Sequence, residues 1–226
     1  MRHRLAATGV LAALVGGLVA YSAIPAGSGA APASAVPTVA PVPASRTATA
    51  SEGVTTSADV FGPGCDRLPQ GDEPGSPAAM STQPVAAAIA ANPLLTGLAA
   101  AVNAVPGLAD ALDAQQGVTV VAPTDAAFEA LRAQLGNERF TALLANPNEL
   151  GALLSYHVVP ERYTAEGLVA AGRTTQLAGG TVRIGGTAAA PTFTDGKGDV
   201  ATVVCGNLPA ANATVFVIDT VLVPAG

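Results

Sequence analysis

The hydrophobic positions of this chain repeat at helical spacing in one half and at strand spacing in the other. From Gln83 the run QPVAAAIAANPLLTGLAAAVNAV is helical in period and broken at Asn92-Pro93, because proline opens a helix but does not continue one. It predicts two short helices, and GLADALDAQ extends the same pattern. GVTVVAP is a β-branched run that predicts a strand ending at Pro123. TDAAFEALRAQL then predicts a helix with Thr124 or Asp125 as its N-cap. NERFTALLA and NPNELGALL predict two further helices, each opened by an asparagine.

From Ser155 onward the period shortens. SYHVV reads as a strand, TAEGLVAAG as a helix closed by Gly172, and RTTQLAGGTVRIGG as a hairpin turning at Gly179-Gly180. PTFTDGKGDVATVVC predicts a second hairpin around Asp195-Gly196. ATVFVIDTVLVP is almost wholly apolar, the pattern of a central strand buried on both faces. Helices first and an antiparallel meander afterwards define an α+β domain.

The N-terminal pattern is different. MRHR followed by a charge-free apolar run and small residues reads, over 1–30, as a signal peptide or an uncleaved anchor. Residues 31–58 are Pro, Ala, Ser and Thr with few large apolar groups; such a segment buries too little surface to offset its ordering entropy and reads as a linker. A single domain over 59–226 remains, and no internal repeat is visible in it.

Composition narrows the function. Lys and Arg number 10 against 16 Asp and Glu, and no basic cluster stands out, so neither nucleic acid nor anionic lipid is an expected partner. Cys65 and Cys205 are the only cysteines; in an exported chain an even pair implies a disulfide. Two cysteines and two histidines, His3 in the leader and His157, leave no zinc-ligand set, and no cofactor is expected. No G-x-S-x-G elbow exists, and the glycine-rich GGTVRIGG leads into strand rather than a helix N-terminus, so it is no phosphate cradle. The chain is not expected to be an enzyme. Asn212-Ala213-Thr214 fits a glycosylation sequon, although a turn role for Asn212 is the expected one.

Three motifs occur in order: TVVAPTDAAF at Thr119–Phe128, YHVV at Tyr156–Val159, and NATVFVIDTVLVP at Asn212–Pro224. Together they resemble the signatures of fasciclin-type adhesion domains. With the lead GPGC and the later VVCG, the chain is similar to the secreted immunogenic fasciclin-domain antigens of mycobacteria and related actinobacteria. The resemblance implies helices packed on an antiparallel sheet or β-sandwich wedge. Read from the residues, Thr124 and Asp125 suit a helix start, Phe128 anchors its first turn, and Asp219 needs a backbone donor or an arginine beside it.

His157 has two readings. Its nitrogens are satisfied by backbone groups or by a carboxylate such as Asp125, or its ring is offered to a partner. In animal fasciclin proteins the Tyr-His motif with flanking aliphatics is implicated in integrin binding. Tyr156, His157, Leu153, Leu154, Val158 and Val159 match that pattern and are the partner-binding candidates. Two positions depart from the family: Phe216 stands where many members carry histidine, and Asp125 where asparagine is common. What the resemblance implies is a secreted or envelope-associated adhesion module that binds a surface protein, host receptor or envelope glycan; a monomer is expected. The alternative is a carrier of a small apolar ligand or lipid in a groove of several hundred Å3 between helices and sheet.

Overall fold

The computed structural model describes residues 53–225. The leader and residues 31–52 of the linker lie outside the described residues. Residues 53–58, assigned by composition to the linker, lie on the domain instead. The buried Thr214 hydroxyl donates to the carbonyl of Gly53 at 2.8 Å, Thr55 is buried, and Thr56 opens a 3-10 turn at Ser57–Asp59. A polar composition lacks apolar surface of its own, but here a buried hydroxyl supplies the tether from the domain side.

Four helices come first: α1 (Pro77–Met80), α2 (Val85–Ala91), α3 (Thr96–Ala104) and α4 (Leu108–Asp113). Strand β1 (Val118–Pro123) follows, then α5 (Asp125–Leu135), α6 (Asn137–Ala145) and α7 (Pro147–Ser155). Thr124 caps α5 by accepting from the Ala127 N–H at 3.2 Å, and the Asn146 side chain caps α7 by accepting from two backbone N–H groups. Asn137 sits inside α6, whose cap position is Gly136, so the asparagine signal there was one residue late. The remainder is β2 (Val158–Val159), α8 (Ala165–Ala171), β3 (Arg173–Thr175), β4 (Thr181–Thr187), β5 (Ala190–Thr194), β6 (Val200–Pro209) and β7 (Ala213–Ile218).

The strands form one seven-stranded sheet in the order β2-β1-β7-β6-β5-β4-β3. It is mixed rather than antiparallel: β1 and β7 run parallel, in register from Val118 opposite Ala213 to Pro123 opposite Ile218. Nearly a hundred residues separate them in sequence, room enough for the long crossover that parallel pairing requires. The expected central strand is there, every residue of β7 being buried, but it stops at Ile218 and not at Pro224. SYHVV is mostly not strand; Ser155 ends α7, and only Val158 and Val159 pair with β1. A tight β4–β5 hairpin through Ala188-Ala189 joins the two predicted hairpins.

Alternation along β1 and β7 builds two cores. Val118, Val120, Ala122, Val215 and Val217 face the helices α1–α7. Val121, Phe216 and Ile218 face the other way, toward α8 and the curled meander, where Phe193 and Phe216 meet edge to face with ring centroids 6.2 Å apart. Strand β6 serves both cores: Ala201 and Val203 point into the second, Cys205 and Leu208 into the first. Two register shifts make that change of side possible.

Candidate functional site

The central motif lies at the seam between the two cores. Helix α7 ends at Ser155, and the turn that follows directs Tyr156 into the second core and His157 toward the segment after β7. All six partner-binding candidates are buried: Leu153, Leu154, Tyr156, His157, Val158 and Val159 are each 9% exposed or less. They form no surface that a partner meets in the folded domain. Leu153 and Leu154 of α7 and Val158 of β2 join the helical core, and Val159 is buried where β2 pairs with β1.

The His157 ring is consumed by backbone. Its Nδ1 lies 2.8 Å from the Leu153 carbonyl, and its Nε2 accepts from the Leu222 N–H at 2.9 Å. A carbonyl accepts and an N–H donates, so the ring is neutral with its proton on Nδ1. Burial pushes its pKa down to about 4, against small opposing effects from the Leu153 carbonyl and Asp195. Asp125 is not its partner. That carboxylate accepts from the Gly97 N–H at 2.6 Å and the Thr96 hydroxyl at 2.7 Å, tying the start of α5 to the start of α3.

Tyr156 points the other way. Its hydroxyl accepts from the Gly196 N–H at 3.1 Å and faces the Thr181 carbonyl at 3.5 Å; burial raises its pKa. The neighbouring loop is organised by Asp195, whose carboxylate accepts from the N–H groups of Lys197, Asp199 and Val223 at 2.7–2.9 Å. Tyr156 and Asp195 thus hold the β5–β6 loop, while His157 and Asp195 hold the chain after β7.

The other predicted structural residues behave as linkers of elements. Phe128 is buried in the helical core. Asp219 sits at the exposed end of β7 and accepts from the Thr202 N–H at 2.8 Å, the backbone donor its charge called for. Asn212 does more than close a turn. Its Oδ1 accepts from the Val85 N–H at 2.9 Å, and its Nδ2 donates to the carbonyls of Leu112, Asp113 and Gln115. Cys65 and Cys205 form the disulfide.

Two residues escaped the sequence reading. Arg162 donates to the carbonyls of Ala210 and Ala213 at 2.9 and 2.7 Å and to the Thr214 hydroxyl at 3.1 Å. Asn207 sits in β6 with φ 55°, and its Oδ1 accepts from the Ala165 N–H at 2.9 Å. The dipeptide Gly206-Asn207 was a turn signal inside an apolar run, and that signal marks the bend of β6.

Inside the interface of helices and sheet, a cavity of about 20 Å3 lies beside His157, Val120 and Leu154, room for about one water and no ligand. At the edge of the same interface, a groove of about 380 Å3 is lined by Leu94 and Ala126 on the helical side and by Val204 of β6. An open apolar groove of about 360 Å3 lies among α3, α5 and α6, beside Phe128 and Phe140. Among the described residues no three His, Cys, Asp or Glu side chains come together as metal ligands.

These features define a bridged α+β domain whose signature residues are spent on joining its parts. The chain belongs to the fasciclin family: residues 93–224 match the Fasciclin domain. It is 39% identical over 172 residues to Immunogenic protein MPB70 of Mycobacterium bovis, covering 74% of this chain and 83% of that protein. It is 36% identical over 176 residues to Cell surface glycolipoprotein MPB83 of the same species, covering 74% of each. Among solved structures, a FAS1 domain pair from the insect cell adhesion molecule Fasciclin I is similar with TM-score 0.48 and 18% identity, over 57% of this chain and 45% of that one.

Proposed function

We propose that this protein is an exported, envelope-associated or secreted interaction module that acts by surface contact without chemistry. The observation that carries the reading is its similarity over 74% of its length to a protein described as a cell surface glycolipoprotein. The disulfide supports the same reading, since such bridges persist in oxidising compartments. A fold whose polar signature residues are engaged with backbone leaves recognition to exposed side chains, and its partner is a surface protein, host receptor or envelope glycan. The carrier reading has less support, because the enclosed space beside His157 holds about 20 Å3 and the apolar grooves of about 360 and 380 Å3 lie open at the surface.

Expression of the full chain in a high-GC Gram-positive host tests this. The protein is expected in the culture filtrate or envelope fraction, with Cys65 and Cys205 in one linked peptide of a non-reducing digest. Labelled protein is expected to bind isolated envelopes or host cells saturably. Retention in the cytoplasm with two alkylatable thiols, or an absence of saturable binding to either surface, would overturn it.

A further inference from the structure

We propose that the groove between β3, β4 and the β5–β6 loop binds the anionic groups of an acidic glycan; the proposal rests on the interaction-module reading and gives it a site. The groove encloses about 720 Å3, within the roughly 300–1,000 Å3 range of ligand sites. Arg173, Arg183 and Lys197 line it. They are three of the seven basic residues in the described part of a chain whose net charge is −6. A random scatter of so few cations over an acidic surface does not gather three of them around one concavity.

The arrangement works against stability. Arg173 and Arg183 are direct cross-strand partners, and like charges placed opposite each other are destabilising. A neighbouring carboxylate would relieve the repulsion, yet the only ion pair among the described residues is Arg132–Glu129, elsewhere on α5. Asp195 is the one acidic residue of the lining, and its side chain is turned inward, 7% exposed and bonded to three backbone N–H groups. The mouth of the groove is left cationic.

The remaining lining selects the occupant. Thr181 and Thr194 offer hydroxyls suited to sugar hydroxyls, while the N–H groups of Gly172, Gly196 and Gly198 are engaged within the fold. No large apolar side chain lines the groove, so an acyl chain has nothing to lie against. No aromatic ring lines it either, which removes the stacking platform of single-stranded nucleic acids. The arginine forks match the planar oxygen pairs of uronate and sulfate. Elsewhere the acidic surface repels a polyanion, which confines contact to this groove. The floor is also rigid. The Tyr156 ring lies beneath it, touching the space next to Gly180 and holding Gly196 through its hydroxyl. The buried family motif therefore shapes this surface from below.

The test is titration calorimetry of the full disulfide-bonded chain with a heparin-derived hexasaccharide, beside a neutral dextran hexasaccharide and anionic phospholipid vesicles. Binding of the heparin fragment alone is expected. Arg173→Gln, Arg183→Gln and Lys197→Gln are each expected to weaken it roughly tenfold. Arg139→Gln, an exposed arginine outside the groove, makes the same change in net charge and is expected to leave binding intact. Because the arginines repel, Arg173→Gln is expected to keep or raise the unfolding midpoint, which separates lost binding from lost fold. No binding of the heparin fragment, binding of vesicles in its place, or equal losses from Arg139→Gln and the groove variants would overturn the proposal. If the groove variants bind envelopes or host cells as the parent does, the groove is refuted while the interaction module stands. If the parent binds neither, the broader reading falls as well.

Discussion

His157 decides how this protein responds to acid. Its Nε2 holds the Leu222 N–H, and a proton on that nitrogen would set donor against donor in a site with 2% exposure. The folded pKa of about 4 lies below the unfolded value of about 6.5. The folded ring therefore binds fewer protons than the unfolded one between those values. Its contribution is fully present above about pH 6.5, falls as the pH drops toward 4, and levels off below that. The full span corresponds to about 3 kcal/mol. Carboxylates titrate in the same range, so the measurement is a difference: urea unfolding of the parent and of His157→Phe near pH 7 and near pH 4.5. The variant loses two hydrogen bonds and is less stable at neutral pH. The gap between the two proteins is expected to narrow as pH falls, and a gap that stays constant would mean the ring is protonated in the folded state.

At the scale of elements, strand β6 has to bend from one core to the other. Gly206 leaves room for the Phe61 ring at the bend, since a Cβ there would lie 2.4 Å from it. Asn207 completes the bend in the left-handed region, where a side chain other than Asn or Asp costs roughly 1–2 kcal/mol. The Asn207 oxygen then occupies the Ala165 N–H at the start of α8, a buried donor with no solvent to turn to. Asn207→Ala is expected to cost about 2–4 kcal/mol, combining backbone strain with an unsatisfied N–H. Asn207→Gly removes the strain but not the orphaned donor, so it is expected to be the milder of the two in thermal unfolding. An alanine variant as stable as the glycine variant would remove the strain argument. Helices with strong caps, such as α5 behind Thr124 and α8 ending at Gly172, were legible in the sequence because their signals are local. The parallel pairing of β1 with β7 was not, because each strand reads alike whichever direction its neighbour runs. The burial of Tyr156 and His157 was equally hidden: YHVV has the look of an exposed polar step in a strand, and only the turn after α7 sends both rings inward. The cationic groove escaped for the same reason, since Arg173 and Arg183 meet only once β3 and β4 pair, and Lys197 joins them only once β5 pairs with β4.

At the scale of the whole molecule, the disulfide closes a chain separation of 140 residues and pins the segment before the helices to the middle of β6. The chain-entropy estimate for so long a loop is about 5 kcal/mol, and any order retained by the unfolded chain reduces it. The contacts it protects are specific. Phe61 and Gly206 exchange backbone hydrogen bonds in both directions, and the Gly64 N–H donates to the Val204 carbonyl at 2.8 Å. The strands that carry the cationic groove lie on the far side of β6 and hold together through their own ladder. Replacing both cysteines by alanine is therefore expected to act unevenly. Global stability should fall by several kcal/mol, up to about 5, and hydrogen exchange at Phe61, Gly64 and Gly206 should accelerate first. The amides shared by β3, β4 and β5 should stay protected under native conditions, because no contact of theirs depends on the bridge. Simultaneous loss of protection in both regions would mean that the bridge holds a single cooperative unit and that the meander does not stand on its own ladder.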